Sequence, residues 1–288
     1  MANENAAVTT QWVPMPAQIP GVPAGLEYLT QLDQILIKQT TELFELFTGF
    51  ETNNKYKIKN SMSQTAYVAG EKSGCCAKLW CGKSRAFEMK IKDNSNREVI
   101  NIKRPLRCDS CFVPCFLQSV VVTSPITGEA LGFVKQKWHP CLPSYSAFWN
   151  LCSAPEFDPK IFKKTLEIVK QTQILNPLYE VCDANGDAVL NIKGPFCTFS
   201  CKCGDVEFPV SSLDGQQIGK ISKQWGGIKE AIIDADNFGC TFPLDLDVKV
   251  KATLLAAVFL IDFMYFEKTK KDAGDAADGV CCILDMLF

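Results

Sequence analysis

The chain repeats itself. INIKRPLRC, from Ile100 to Cys108, aligns with LNIKGPFC, from Leu190 to Cys197, and each block follows an aspartate, Asp93 and Asp183. TGEALGFVKQKW (Thr127 to Trp138) aligns with DGQQIGKISKQW (Asp214 to Trp225), with Gly, Gly and Trp at the same spacing. The offset is 90 residues in the first block (Ile102 to Ile192) and 87 in the second (Gly132 to Gly219). Two matched blocks in one order mark two copies of a unit. That unit reads as β-strand. Phe87, Met89 and Ile91 alternate with Glu88, Lys90 and Lys92, and Tyr56 and Ile58 alternate with Lys55, Lys57 and Lys59, the period of half-buried strands. Val120 to Thr123, Glu129 to Lys137 and Gln217 to Gln224 have the same character, and Gly, Pro and Asn punctuate the stretches between them. An antiparallel β protein follows, and two half-barrels closing on each other leave a lumen that side chains or another element must fill.

One segment stands ready to fill it. ATLLAAVFLIDFMYF, from Ala252 to Phe266, is the most apolar run in the sequence. As a helix its fifteen residues reach roughly 22 Å, short of the roughly 30 Å of a bilayer's hydrocarbon core. Insertion energetics are balanced: Leu254, Leu255, Val258, Phe259, Leu260, Ile261, Phe263 and Phe266 contribute roughly −0.45 kcal/mol each, and Asp262 opposes them with about +3 kcal/mol. Lys249 and Lys251 before the run and Lys268, Lys270 and Lys271 after it set no orientation. Two readings stand, a marginal membrane span and a helix apolar on all sides because protein surrounds it. The lumen argument favours the second.

An acidic stretch, DADNFGCTFPLDLD (234–247), leads into this run. Set against the calcium loop of an EF-hand, Asp234, Asp236, Gly239 and Asp245 fall on positions 1, 3, 6 and 12, while Phe238, Cys240 and Phe242 fall on 5, 7 and 9. The fit is partial, because two positions that want oxygen carry phenylalanine. A weak Ca2+ site completed by backbone carbonyls and Asp247 is one expectation, and a solvated acidic turn is the other.

The 288 residues carry a net charge of −2, which implies no general attraction to polyanions. The start, MANENAAV, has no secretory pattern and no myristoylation glycine, so the expectation is a chain whose fifteen cysteines stay reduced. Cys108, Cys111 and Cys115, among Phe112, Val113, Phe116 and Leu117, read as acylation candidates, with buried structural cysteine as the alternative for each. Zinc is disfavoured: the one histidine, His139, has no spaced partner, and the second repeat spaces its thiols differently. No nucleophile elbow or phosphate-binding glycine loop is present, so a bond-making or bond-breaking enzyme is not expected. Residues 1–25 are proline-rich and are expected to form a disordered leader, 26–270 the barrel domain with its helix at 252–266, and 271–288 a polar, cysteine-containing tail. Leu26, Leu29, Leu32 and Leu36 predict a short helix passing into strand.

At NIKRPLRCDSCFVPCFLQ (101–118), GFVKQKW, LYEVCDANGDAVLNIKGPF (178–196), GKISKQWGG and the acidic stretch with its apolar run, the sequence resembles the animal phospholipid scramblases, over roughly residues 10 to 270. That resemblance implies a tubby-like fold, a closed barrel of about twelve strands around a hydrophobic C-terminal helix. It also implies calcium-activated, ATP-independent movement of phospholipids in both directions between leaflets. With it come a calcium site at 234–245, palmitoylation of Cys108, Cys111 and Cys115, and a place on the cytoplasmic face of the plasma membrane. Membrane phospholipids are the implied partners, with self-association a further candidate. The alternative is a palmitoylated, membrane-anchored interaction and signalling protein that enters the nucleus and binds DNA when not acylated, although nucleic acid is not the favoured partner.

Overall fold

A computed structural model describes residues 12–40, 54–72, 85–107, 117–137, 176–195, 206–224 and 237–266. Twelve strands form a closed antiparallel barrel: β1 (Gln34–Thr40), β2 (Lys55–Lys59), β3 (Thr65–Lys72), β4 (Phe87–Lys92), β5 (Glu98–Arg104), β6 (Ser119–Thr123), β7 (Ala130–Gln136), β8 (Leu178–Cys182), β9 (Ala188–Lys193), β10 (Val206–Ser212), β11 (Gln217–Gln224) and β12 (Asn237–Thr241). Each strand pairs with its neighbours in sequence, and β1 pairs with β12 to close the ring. The expected closed barrel of about twelve strands is therefore what the chain forms. Its two sequence repeats are the four-strand units β4–β7 and β8–β11, because Ile102 on β5 and Gly132 on β7 match Ile192 on β9 and Gly219 on β11.

Local chemistry explains why the matched residues recur. In the β4–β5 turn Asp93 Oδ1 accepts from the backbone N–H groups of Ser95 and Arg97, and in the β8–β9 turn Asp183 Oδ1 accepts from those of Asn185 and Asp187. Each turn needs one left-handed residue, supplied by Asn96 (φ 60°) in the first and Gly186 (φ 93°) in the second. The matched Gly132 and Gly219 answer a different need. A Cβ on Gly132 would collide with Thr253 and the Cys182 carbonyl, and one on Gly219 with the Thr241 carbonyl.

The lumen is filled by α2 (Val248–Ile261), continued by one π-helical turn (Asp262–Phe266). Every residue from Val250 to Met264 is buried, Leu254, Leu255, Val258, Leu260 and Ile261 completely. A helix apolar on all sides is stable here because strands surround it. Its close approach to β7 is the reason Gly132 carries no side chain, and aromatic contacts hold it elsewhere: Tyr56 meets Phe259 edge-on at 5.2 Å, and Phe87 stacks on Phe263 at 4.5 Å. Asp247 caps the helix by accepting from the N–H groups of Lys249 and Val250.

Of the leucine series, Leu29 lies in α1 (Glu27–Thr30), Leu26 and Leu32 flank it, and all three are buried, while Leu36 lies in β1. Residues 12–25, assigned above to the leader, touch the barrel: the Val13 N–H donates to the Thr65 carbonyl, and the Tyr67 hydroxyl donates to the Gly25 carbonyl.

The two ends of the barrel differ. The β2–β3, β4–β5, β6–β7, β8–β9 and β10–β11 connections are tight turns at one end, and β12 passes to α2 there. The longer connections, β1–β2, β3–β4, β5–β6, β7–β8, β9–β10 and β11–β12, start and finish at the other end, where the π-helical turn also arrives.

Candidate functional site

The acidic stretch divides in two. Asp234 and Asp236 lie outside the described residues, whereas the part from Asn237 to Thr241 is β12. Phe238 sits in register with Ile37 and Lys223, and Cys240 with Ile35 and Ile221, so the main chain here serves ladders on both sides. The side chains of Phe238, Cys240 and Phe242 are buried in the core, and burial pushes the Cys240 thiol up to about 12, which keeps it protonated. The Phe242 N–H donates to the Asp33 carbonyl. Asp245 is exposed, and Asp247 is occupied in capping α2. Of the six candidate calcium residues, the four described supply one free-standing carboxylate, and three phenyl or thiol groups that point into hydrocarbon do not fit a hard cation. No group of three or more His, Cys, Asp or Glu is poised for a metal among the described residues.

Cys108, Cys111 and Cys115 also lie outside the described residues, but both ends of their segment are placed. Arg107 donates from Nη1 to the Leu117 carbonyl at 2.9 Å, and Gln118 Nε2 donates to the Arg107 carbonyl at 3.0 Å. The β5–β6 connection thus leaves and returns through one clasp, at the end with long connections.

Leu254, Leu255, Val258, Phe259, Leu260, Ile261, Asp262 and Phe263 are in the barrel interior, and no helix among the described residues is long and apolar enough to cross a membrane. The outcome of the two readings of this run is the barrel filler. Around its C-terminal turn lies a set of buried charges that periodicity gave no means of finding. Arg85 pairs with Glu71, both side chains fully buried, with Nε 3.0 Å from Oε1, and its guanidinium lies 4.4 Å from the Phe263 ring centroid. Arg104 donates to Gln118 Oε1 at 2.9 and 2.7 Å and to Met264 Sδ at 2.8 Å. The Tyr179 and Tyr265 hydroxyls are hydrogen-bonded at 2.8 Å, and Lys223 Nζ lies 5.1 Å from the centroids of Phe238 and Phe266. At the opposite end the ammonium of Lys251, fully buried, donates to the carbonyls of Leu29, Leu32 and Leu244 at 2.9, 2.8 and 2.7 Å. Burial lowers its pKa, and Asp245 and Asp33 draw it back up in part.

The barrel's outer surface is uneven in charge. Facing outward from β1–β5 are lysines 38, 55, 57, 59, 72, 90, 92 and 103, against Glu88 and Glu98. Lys90 pairs with Glu98 at 2.9 Å, which raises the lysine's pKa, and Lys103 lies 3.6 Å from Glu88. Burial pushes Lys92 down. An open cleft of about 540 Å3 lies over Val121 and Pro105 with Lys72, Lys103 and Glu88 among its walls.

The described residues form a closed barrel filled by its own C-terminal helix. The Scramblase family model matches residues 13–156 and 159–268, and the chain belongs to the Scramblase family. It is 48% identical over 265 residues to "Phospholipid scramblase 1" of Homo sapiens, covering 91% of this chain and 72% of that protein. It is 46% identical to "Phospholipid scramblase 2" of Bos taurus (92% and 79%) and 41% identical to "Phospholipid scramblase family member 5" of Homo sapiens (88% and 83%). No solved structure matches significantly.

Proposed function

We propose that this protein moves phospholipids in both directions between membrane leaflets without ATP, as a lipid transporter that makes and breaks no covalent bond. One observation carries the reading: the similarity to proteins named phospholipid scramblases runs through the barrel and the helix that fills it. Membrane association and phospholipids as partners belong to the same reading, as do acylation at Cys108, Cys111 and Cys115, a cytoplasmic-face position and self-association. A calcium response in this chain falls to the carboxylates Asp234, Asp236 and Asp245, since Phe238, Cys240 and Phe242 are core residues.

The packed lumen limits the route. A headgroup cannot pass through an interior occupied from Val250 to Met264, so transport runs along the outside of the barrel. The same packing supports the second reading, an acylated and membrane-anchored interaction module. Outward lysines on β2 and β4 are the opposite of the apolar belt with which a membrane-spanning barrel meets lipid.

Dithionite quenching of fluorescent phospholipid in liposomes holding the purified protein separates the two. Transport predicts quenching beyond the outer-leaflet half in the absence of ATP, rising with calcium and falling in Asp234→Ala/Asp245→Ala. No excess quenching by folded, bound protein at any calcium level overturns the transport reading and leaves the anchored module.

A further inference from the structure

We propose that the outer face of β1–β5 is the surface on which the barrel docks against an anionic phospholipid leaflet, with the cleft beside Lys72 and Lys103 seating a headgroup phosphate. The proposal rests on phospholipid as partner and adds which side of the molecule meets the membrane, and through what charge.

Register brings the lysines together. Lys38 on β1 stands opposite Lys57 on β2; on β3 Lys57 faces Val68, and Val68 in turn faces Lys92 on β4. One row lower, Lys55 faces Gly70, which faces Lys90. At adjacent-strand spacings of roughly 4.8 Å, such rows gather lysines from β1, β2 and β4 on one face, bordered on β5 by Glu98, which pairs with Lys90. Like charges directly across a ladder are unfavourable for the fold, so a face that keeps Lys38 opposite Lys57 gains from an anionic partner. The small uncharged residues of β3 between the rows let lysine stems lie against the wall, and Val68 is buried although it faces outward. Both carboxylates of the face are engaged within it: Glu88 accepts from Asn101 at 2.8 Å and Glu98 from Lys90 at 2.9 Å.

The second repeat lacks this pattern. The outward charged residues of β8–β11 are Glu180, Lys193, Glu207 and Lys220, two of each sign, with Lys220 paired to Glu207 and Glu180 to Lys137. Charge on the barrel wall is therefore one-sided. The basic side also holds the cleft, lined by Lys72, Lys103 and the apolar Pro105 and Val121, a pairing suited to a phosphate joined to a glyceryl ester; Glu88, which also lines it, accepts from Asn101 and lies 3.6 Å from Lys103. Polybasic surfaces bind anionic leaflets at about 1 kcal/mol per lysine, or about fivefold in affinity.

Flotation with phosphatidylcholine vesicles, with and without phosphatidylserine, tests the proposal on the unacylated full chain in calcium chelator. The expected result is binding only to phosphatidylserine vesicles, weakening as salt rises. Lys38→Gln/Lys59→Gln/Lys72→Gln/Lys103→Gln should lose it at least tenfold, while Lys135→Gln/Lys137→Gln/Lys193→Gln/Lys220→Gln loses less than threefold. Equal losses in both variants, binding indifferent to phosphatidylserine, or binding to a DNA duplex but not to vesicles would each overturn it. Salt dependence of the wild-type protein keeps the test decisive should a variant misfold. Flotation reads docking and dithionite quenching reads transport, so failure of one is distinguishable from failure of the other.

Discussion

The two ends of this barrel are built on different principles. At the tight-turn end, backbone geometry does the work: short turns closed by Asp93 and Asp183, a capped helix start, and a lysine whose three donors meet three carbonyls. At the end with long connections, side-chain charge does it, through Glu71–Arg85, Arg104–Gln118–Met264 and the paired tyrosines gathered around the last helical turn. The first kind of end rests on a few side chains that satisfy backbone groups and on turn residues with left-handed geometry. The second holds the helix through side chains from the strand ends and from connection residues beside them, Arg85 and Gln118 among these.

The sharpest way to break this contrast is Glu71→Ala. Arg85 would remain fully buried without its carboxylate, at a cost of about 3–5 kcal/mol in denaturant unfolding, and the paired replacement Glu71→Leu/Arg85→Met should recover most of that. A cost below 1 kcal/mol for the single change would mean that charge does not organise this end. At the other end, Lys251→Met takes a buried charged donor from the carbonyls of Leu29, Leu32 and Leu244 and should cost about 3 kcal/mol. Hydrogen exchange should quicken first around 26–33 while β4 and β5 stay protected; uniform acceleration would count against two independently held ends. Smallest of the three, Gly186→Ala should cost about 1 kcal/mol, a fall of roughly 2–4 °C in Tm, because its φ is 93°, and Asn96→Ala somewhat less at φ 60°. Should Gly186→Ala leave Tm unchanged, the turn would not depend on left-handed geometry.

Much of the fold could be read from the chain because its signals are local or repeated. Alternation at Tyr56–Ile58 and Phe87–Ile91 is a strand signal, and the Gly132–Gly219 match reports close approaches that admit no Cβ. The buried charges were not legible in that way. Lys251 looks like the flank of an apolar helix and turns out to be inside; Arg104 occupies the position that is Gly194 in the other repeat, where a Cβ would strike Pro177 and Phe208. One repeat spends that position on charge, the other on space, and only the fold reveals the difference. In the acidic stretch, the period of two in Phe238, Cys240 and Phe242 is itself a strand signal, competing with the ligand template laid over the same residues. The one-sided lysine face needs register as well as period, because Lys38 and Lys57 meet only when β1 and β2 are aligned.

The order of elements along the chain carries a further consequence. The helix that fills the lumen follows all twelve strands, and the ring is closed by β1 against β12, Gln34 beside Thr241. During synthesis the ribosome therefore releases eleven strands before either the filler or the closing strand exists, and the interior faces of Ile35, Ile58, Met89 and Ile102 have no helix to pack on. Closing the ring and filling its lumen therefore both wait for the last elements of the barrel to be made.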